Sequence, residues 1–211
     1  MQSNRHHLAH KSDADKWAEF IRGSEKSFDD IYDKYFALLY GYGMQFCTDK
    51  AVIKDCIQDL FVELWSKKST LAPVRSVKYY LYKSLRRKII KTISQKGFST
   101  LEHEILPIEF NLQTAFSGEA ALVEKEIVRD NEIKIQWALK SLTSRQKEAV
   151  FLKFYENLSY DEIASIMRLS DAKYARKLIY RSLRELKATL CKYKNTLIIT
   201  SLSLLLILFL M

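Results

Sequence analysis

SLTSRQKEAVFLKFYENLSYDEIASIMRLSDAKYARKLIYRSLRELK, residues 141–187, is the stretch that decides the fold. It contains two capping boxes, Thr143 with Gln146 and Ser159 with Glu162, each pairing a hydroxyl cap with an N3 side chain that satisfies orphan amides at a helix start. Two helix beginnings are thereby fixed. Asn157 tolerates the left-handed conformation that stops the first of these helices, and Ser170 or Asp171 is placed to cap a third. The spacing predicts helix, turn, short helix, turn, long helix.

In that long helix Ala175, Leu178, Ser182 and Leu186 follow one face, widened by Ile179 and Leu183, while Lys173, Lys177, Arg181 and Arg184 follow another. A rod with an apolar underside and a basic outer face is what the recognition helix of a DNA-binding helix-turn-helix requires: cations for phosphates, and side chains near its start for base edges. The plain alternative, a solvated amphipathic helix, is weakened by the two capped helices that precede it.

Upstream, KDCIQDLFVELW (54–65) sets Asp55, Asp59 and Glu63 every fourth residue, on the face that Leu60, Leu64 and Trp65 leave open. Carboxylates repel DNA, so an acidic stripe inside a basic chain points to a positively charged protein partner. VKYYLYKSLRRKIIKTI (77–93) interleaves Tyr79, Tyr80 and Tyr82 with Lys78, Lys83, Arg86, Arg87, Lys88 and Lys91. Rings that stack on unpaired bases beside cations that hold the backbone are the chemistry of single-strand capture; about half of these tyrosines are expected in the core, since they cannot all face outward.

Nearer the start, Trp17, Phe20 and Ile21 form a short apolar stripe ended by Gly23, and Ser24 or Ser27 is suited to cap the next helix. That helix carries Phe28, Ile31, Tyr32, Tyr35, Phe36 and Leu39, which predicts one aromatic-rich buried face. Val52, Cys56, Leu60 and Leu64, with Ile57, Phe61 and Trp65 beside them, repeat the pattern, so a bundle follows. Pro73 separates this helix from the tyrosine-rich one. Between Gln95 and Gly118 the periodicity fades, which suggests a linker between two domains.

Composition agrees. The chain has 211 residues, 48% of them hydrophobic, ample for a buried core, and 34 basic against 25 acidic side chains give a formal charge of +9 that favours a polyanionic partner. Only 5 Gly and 2 Pro occur, so an all-helical fold is the economical reading. Cys47, Cys56 and Cys191 are odd in number and lack CxxC spacing, which suits reduced thiols in a cytosolic protein. His6, His7 and His10 near the start and His103 in the linker make no metal-ligand pattern, and there is neither a phosphate-binding glycine loop nor a nucleophile elbow. No cofactor and no catalytic activity are expected. Residues 1–10 lack the apolar core of a secretory signal.

TLIITSLSLLLILFLM (196–211) carries no charge and as a helix would be about 24 Å long, marginal for a hydrocarbon core of about 30 Å. Lys187, Lys192 and Lys194 precede it, an arrangement that would keep the folded body at the cytoplasmic face of a membrane. A membrane-associated helix is the preferred expectation, with burial in a helical groove of a partner or of the chain itself as the alternative.

SFDDIYDKYF (27–36), DCIQDLFVELW (55–65) and YYLYKSLRRKI (79–89) resemble the polymerase-binding and promoter-melting domain of the extracytoplasmic-function sigma factors, and SLTSRQKEAVFLKFYENLSYDEIASIM (141–167) resembles their helix-turn-helix domain. The resemblance implies a sigma region 2-like domain at 13–94, a linker at 95–128 and a region 4-like domain at 129–190, followed by the apolar segment at 196–211. It further implies that Asp55, Gln58, Asp59, Phe61, Glu63 and Trp65 lie on or beneath the surface that docks core RNA polymerase. By the same resemblance Tyr79, Tyr80, Lys83, Arg86 and Arg87 would face the minus-ten element, and Lys173, Tyr174, Arg176, Lys177 and Arg181 the minus-thirty-five element of promoter DNA. An anti-sigma factor is a further partner that the family allows. Three departures stand out: Arg87 occupies the place of a usual Asn, Arg168 that of a usual Gly at the turn, and one extra residue sits near Lys173. Rival readings are a helix-turn-helix regulator that works without polymerase and a membrane-tethered helical adaptor that never touches DNA.

Overall fold

A computed structural model describes residues 11–95 and 138–192. Among the described residues every regular element is helical, as expected, and the chain divides into two compact units, one built from 11–44 with 49–95 and the other from 138–192. The expected linker, its His103, the amino-terminal histidines and the apolar segment 196–211 lie outside the described residues.

The first unit holds α1 (Asp13–Ile21), α2 (Glu25–Gly43), α3 (Lys50–Ser66), a single 3-10 turn (Lys68–Thr70) and α4 (Val77–Gln95). Each start is fixed by a side chain within three residues. Ser12 and Asp15 form a capping box on α1, Ser24 rather than Ser27 caps α2, Asp49 accepts the Ala51 and Val52 amides of α3, and Ser76 accepts the Tyr79 amide of α4. Helix α1 ends at Gly23, whose φ of 103° only glycine adopts without strain; its amide reaches the Phe20 carbonyl at 2.8 Å and the Ser24 amide reaches Glu19 at 3.1 Å.

The core of this bundle is Trp17, Phe20, Ile31, Tyr35, Leu39, Tyr42, Ile53, Ile57, Leu60, Leu81, Tyr82, Leu85 and Ile89. Helix α2 differs from the single buried face predicted for it. Ile31, Tyr35, Leu39 and Tyr42 are buried, whereas Phe28, Tyr32, Phe36 and Tyr40 make a second stripe that stays half-exposed. Residues four apart stack on one another along a helix, so both stripes satisfy the same periodicity and only the neighbouring helices separate them. Gly43 is required by contact: a Cβ there would lie 2.5 Å from Cγ2 of Ile53. Polar pins orient the short α1. Tyr35 donates its hydroxyl to Asp13 at 2.6 Å, Lys34 pairs with the same carboxylate, and the Trp17 indole donates to the Ala72 carbonyl at 3.1 Å.

The second unit holds a helical end at 138–140, then α5 (Ser144–Val150), a π-helical turn (Phe151–Tyr155), α6 (Tyr160–Met167) and α7 (Ala172–Lys192). Both capping boxes form as read, at Thr143 with Gln146 and at Ser159 with Glu162, and Asp171 rather than Ser170 caps α7, accepting the Tyr174 amide at 2.6 Å. The helical end stops at Lys140 and a new helix starts at Ser144, where the Thr143 hydroxyl caps it. Asn157 and Arg168 both have φ of 53°, left-handed stops after the π turn and after α6. Leu139, Leu142, Leu186 and Leu190 pack into one cluster, and Ala175, Ile179 and Ser182 are also buried under α7. The Ser182 hydroxyl is satisfied by the Leu178 carbonyl one turn back, at 2.8 Å. Gln146 ties α5 to α7 through the Glu185 carboxylate at 2.8 Å.

Candidate protein and nucleic-acid interfaces

In α3 the buried side, from Val52 through Cys56, Leu60 and Leu64, leaves Asp55, Gln58 and Asp59 exposed. Phe61 is only 3% exposed, so it supports that surface from beneath. Trp65 is half-buried, with the Lys68 ammonium 3.9 Å from its ring centroid. Glu63 behaves differently from the other acids. Its two oxygens pair with Lys67 at 2.6 Å and with Lys88 of α4 at 2.8 Å, and these hydrogen bonds hold its carboxyl down to about 2. Its charge is answered inside the unit, whereas Asp55 and Asp59 project freely toward solvent.

Next to this face lies a groove of about 510 Å³ between α2 and α3, walled by Phe28, Tyr32, Phe61, Val62 and Trp65 and rimmed by Glu25, Asp29 and Gln58. Tyr32 meets Phe61 edge-on at 4.8 Å and Phe28 meets Trp65 at 5.1 Å, so the wall is a continuous aromatic contact. Val62 is 60% exposed at its mouth. The contribution of Phe28 and Tyr32 was missed from the sequence, where their spacing pointed to the core. The thiol of Cys56, pushed up by burial, hydrogen-bonds the Thr92 hydroxyl across to α4 at 3.5 Å, which accounts for one of the free cysteines.

The three tyrosines of α4 have separate fates. Tyr82 is fully buried against Tyr42 at 4.9 Å, and Tyr80 is half-buried with its ring 5.1 Å from Trp17. Tyr79 is half-exposed, and its hydroxyl accepts from Lys83 at 2.8 Å while the same ammonium lies 5.2 Å from its ring. Lys83 and Arg87 are exposed, while Arg86, Tyr79 and Tyr80 are half-buried, so Tyr79 stands beside exposed cations on this helix.

On α7 the outward face is basic, and Lys173, Tyr174, Arg176, Lys177, Arg181 and Arg184 are all exposed. Tyr180, 40% exposed, stands among them and was not singled out from the sequence, because a tyrosine at helical spacing reads equally well as core. Arg168, at the turn between α6 and α7, is exposed with left-handed backbone. The short connection from Met167 to Ala172 fixes how α7 is presented: the Leu169 amide closes back on the Ala164 carbonyl at 2.8 Å.

Among the described residues no group of three or more His, Cys, Asp and Glu is arranged to hold a metal ion, and no helix is long and apolar enough to cross a membrane.

Two family models match the chain, Sigma-70 region 2 over residues 31–98 and Sigma-70 region 4 over residues 133–186. Among curated relatives, the ECF RNA polymerase sigma factor SigX of Bacillus subtilis (strain 168) is 24% identical over 150 residues, covering 71% of this chain and 76% of that one. The ECF RNA polymerase sigma factor SigK of Mycobacterium tuberculosis (strain ATCC 25618 / H37Rv) is 21% identical over 178 residues, covering 82% and 92%. Two solved structures share the fold at 18% identity. CnrH in complex with the cytosolic domain of CnrY gives a TM-score of 0.56 over 88% of this chain and 100% of that one. The sigma factor RpoE in complex with the anti-sigma factor NepR from Bartonella quintana gives 0.54 over 81% and 99%.

Proposed function

Because the chain belongs to the sigma-70 family, as an RNA polymerase sigma factor of the extracytoplasmic-function type, we propose a division of labour between its two units. The first docks on core polymerase through Asp55, Gln58 and Asp59, with Phe61 and Trp65 supporting the face and the α2–α3 groove receiving apolar side chains. Tyr79, with Lys83 and Arg87, captures the displaced strand at the minus-ten element. The second unit seats α7 in the major groove of the minus-thirty-five element, with Lys173, Tyr174, Lys177 and Arg181 toward the DNA. One observation carries this reading: the exposed acidic side chains of α3 and the exposed basic face of α7 are opposite in sign and belong to different units, so they suit a basic protein and a polyanion respectively.

Two solved relatives are held by an anti-sigma factor or by the cytosolic domain of another protein. A comparable partner for this chain would occupy the same acidic and aromatic surface and keep it from polymerase. The apolar segment 196–211 is membrane-seeking in composition. Tethering predicts that the full chain fractionates with membranes and a version ending at Asn195 does not; equal solubility of the two removes the tether.

Mixing the protein with core polymerase and promoter DNA, then measuring co-elution and run-off transcripts, tests the main reading. Transcripts that depend on the chain support it. Duplex binding without transcripts would make it a regulator that works alone, and binding to neither would make it an adaptor.

A further inference from the structure

Two parts of the chain carry apolar surface that calls for cover. One is the α2–α3 groove, where Val62, 60% exposed, stands at the mouth of a wall made by Phe28, Tyr32, Phe61 and Trp65. The other is segment 196–211, sixteen residues without a charge and an aggregation hazard if left in water.

Size and charge make the two complementary. Along α3 the groove runs from Gln58 to Ser66, about 12 Å at 1.5 Å per residue. Residues 204–211, LLLILFLM, would take the same length as a helix, and a helix lays apolar side chains into such a groove at every third or fourth position. The rim carries Glu25 and Asp29, both exposed. The segment has no acidic side chain, and Lys187, Lys192 and Lys194 lead into it. An acidic rim thus meets an apolar stretch with a basic approach. Reach is not limiting. Residues 96–137 join the two units, and when extended they would span more than about 100 Å, so docking needs no particular arrangement of the units.

We propose that segment 196–211 docks in the α2–α3 groove of its own chain and shields it from core polymerase. This rests on the reading that the groove receives polymerase. A tethered segment meets its site at an effective concentration of about 0.1–1 mM, so an affinity of ~10–100 µM keeps the groove closed nine-tenths of the time and weakens polymerase binding about tenfold. A membrane that takes up the segment opens the groove, so tethering and docking exclude each other in one molecule.

The test compares the full chain with a version ending at Asn195 in vesicle-free buffer. The shortened chain is expected to bind core polymerase about tenfold more tightly. Leu205→Asp in the full chain keeps the length but puts a charge into the apolar stretch, and it should bind as the shortened chain does. Equal affinity of full and shortened chains overturns the docking, as does a full chain that sediments only as oligomers, its segment covered by other copies. A shortened chain that fails to bind core overturns the polymerase reading of the groove instead. A second readout is independent of polymerase. Cys191→Ser removes the exposed thiol and leaves Cys47 and Cys56 buried. In that background Val62→Cys with Leu205→Cys is expected to close a disulfide within one chain under mild oxidation. Ile90→Cys, exposed on α4 and outside the groove, is expected not to pair with Leu205→Cys. Equal yields from the two pairs overturn the proposal. So does a full chain that floats with anionic lipid vesicles and forms no Val62 cross-link in their absence, which would make the membrane the segment's site.

Discussion

The Glu63 carboxylate of α3 lies 2.8 Å from the Lys88 ammonium of α4. One member of a three-acid stripe is thus turned into a strut between helices, while Asp55 and Asp59 on the same stripe remain available to a partner.

The strut gives a pH signature. With its carboxyl at about 2 against an ordinary value of 4.5, Glu63 contributes stability that is complete above pH 4.5 and is lost as pH falls toward 2. Its side chain is 43% exposed, so solvent reduces the contribution to about 0.5 kcal/mol. Urea titrations should find Glu63→Gln less stable by that amount at neutral pH, with the gap to wild type closing below pH 4.5.

The two free acids should behave as docking groups. Asp59→Arg is expected to weaken core polymerase binding about tenfold at low salt, with a smaller deficit at high salt, because an exposed charge acts mainly through screened attraction. Glu63→Gln should bind core within about twofold of wild type. Fluorescence anisotropy with core polymerase separates the outcomes, and equal losses in both variants would move the docking surface elsewhere.

Tyr79 and Tyr80 are adjacent but do different things. Removing the Tyr80 ring with Ala takes away its packing on Trp17 and should cost about 1–2 kcal/mol of stability. Tyr79→Ala should leave stability within about 0.5 kcal/mol of wild type yet reduce strand opening, since stacking on an unpaired base is worth about 1–3 kcal/mol. A fluorescent base analogue placed in the melted element reports the second effect; normal opening by Tyr79→Ala would contradict the capture role.

Arg168 holds φ of 53° at the turn before α7. A non-glycine residue in left-handed geometry costs about 1–2 kcal/mol, and glycine's extra freedom in the unfolded chain returns about 0.4–1 of it. Arg168→Gly should therefore stabilise the protein by about 0.5 kcal/mol, and Arg168→Val, β-branched in the same geometry, should destabilise it. Urea midpoints at constant slope give the order; a glycine variant less stable than wild type would mean that Arg168 contributes contacts that outweigh its strain.

The sequence by itself determined where helices begin and end. A cap closes over three or four residues, as Thr143 does with Gln146 and Ser159 with Glu162, and a left-handed stop at Asn157 needs only its own short side chain, so these features survive translation into structure almost unchanged. The basic face of α7 was legible for the same reason, its period being set by the helix alone. What only the tertiary structure decided is which of several equally periodic side chains faces a neighbour. Ile31 and Tyr35 are buried where Phe28 and Tyr32 wall a groove, Tyr82 is core where Tyr79 is presented, Glu63 finds Lys88, and Lys153 meets Arg176 across the ring of Tyr160. Burial and charge pairing depend on partners tens of residues away, and helical periodicity carries no information about where those partners will be.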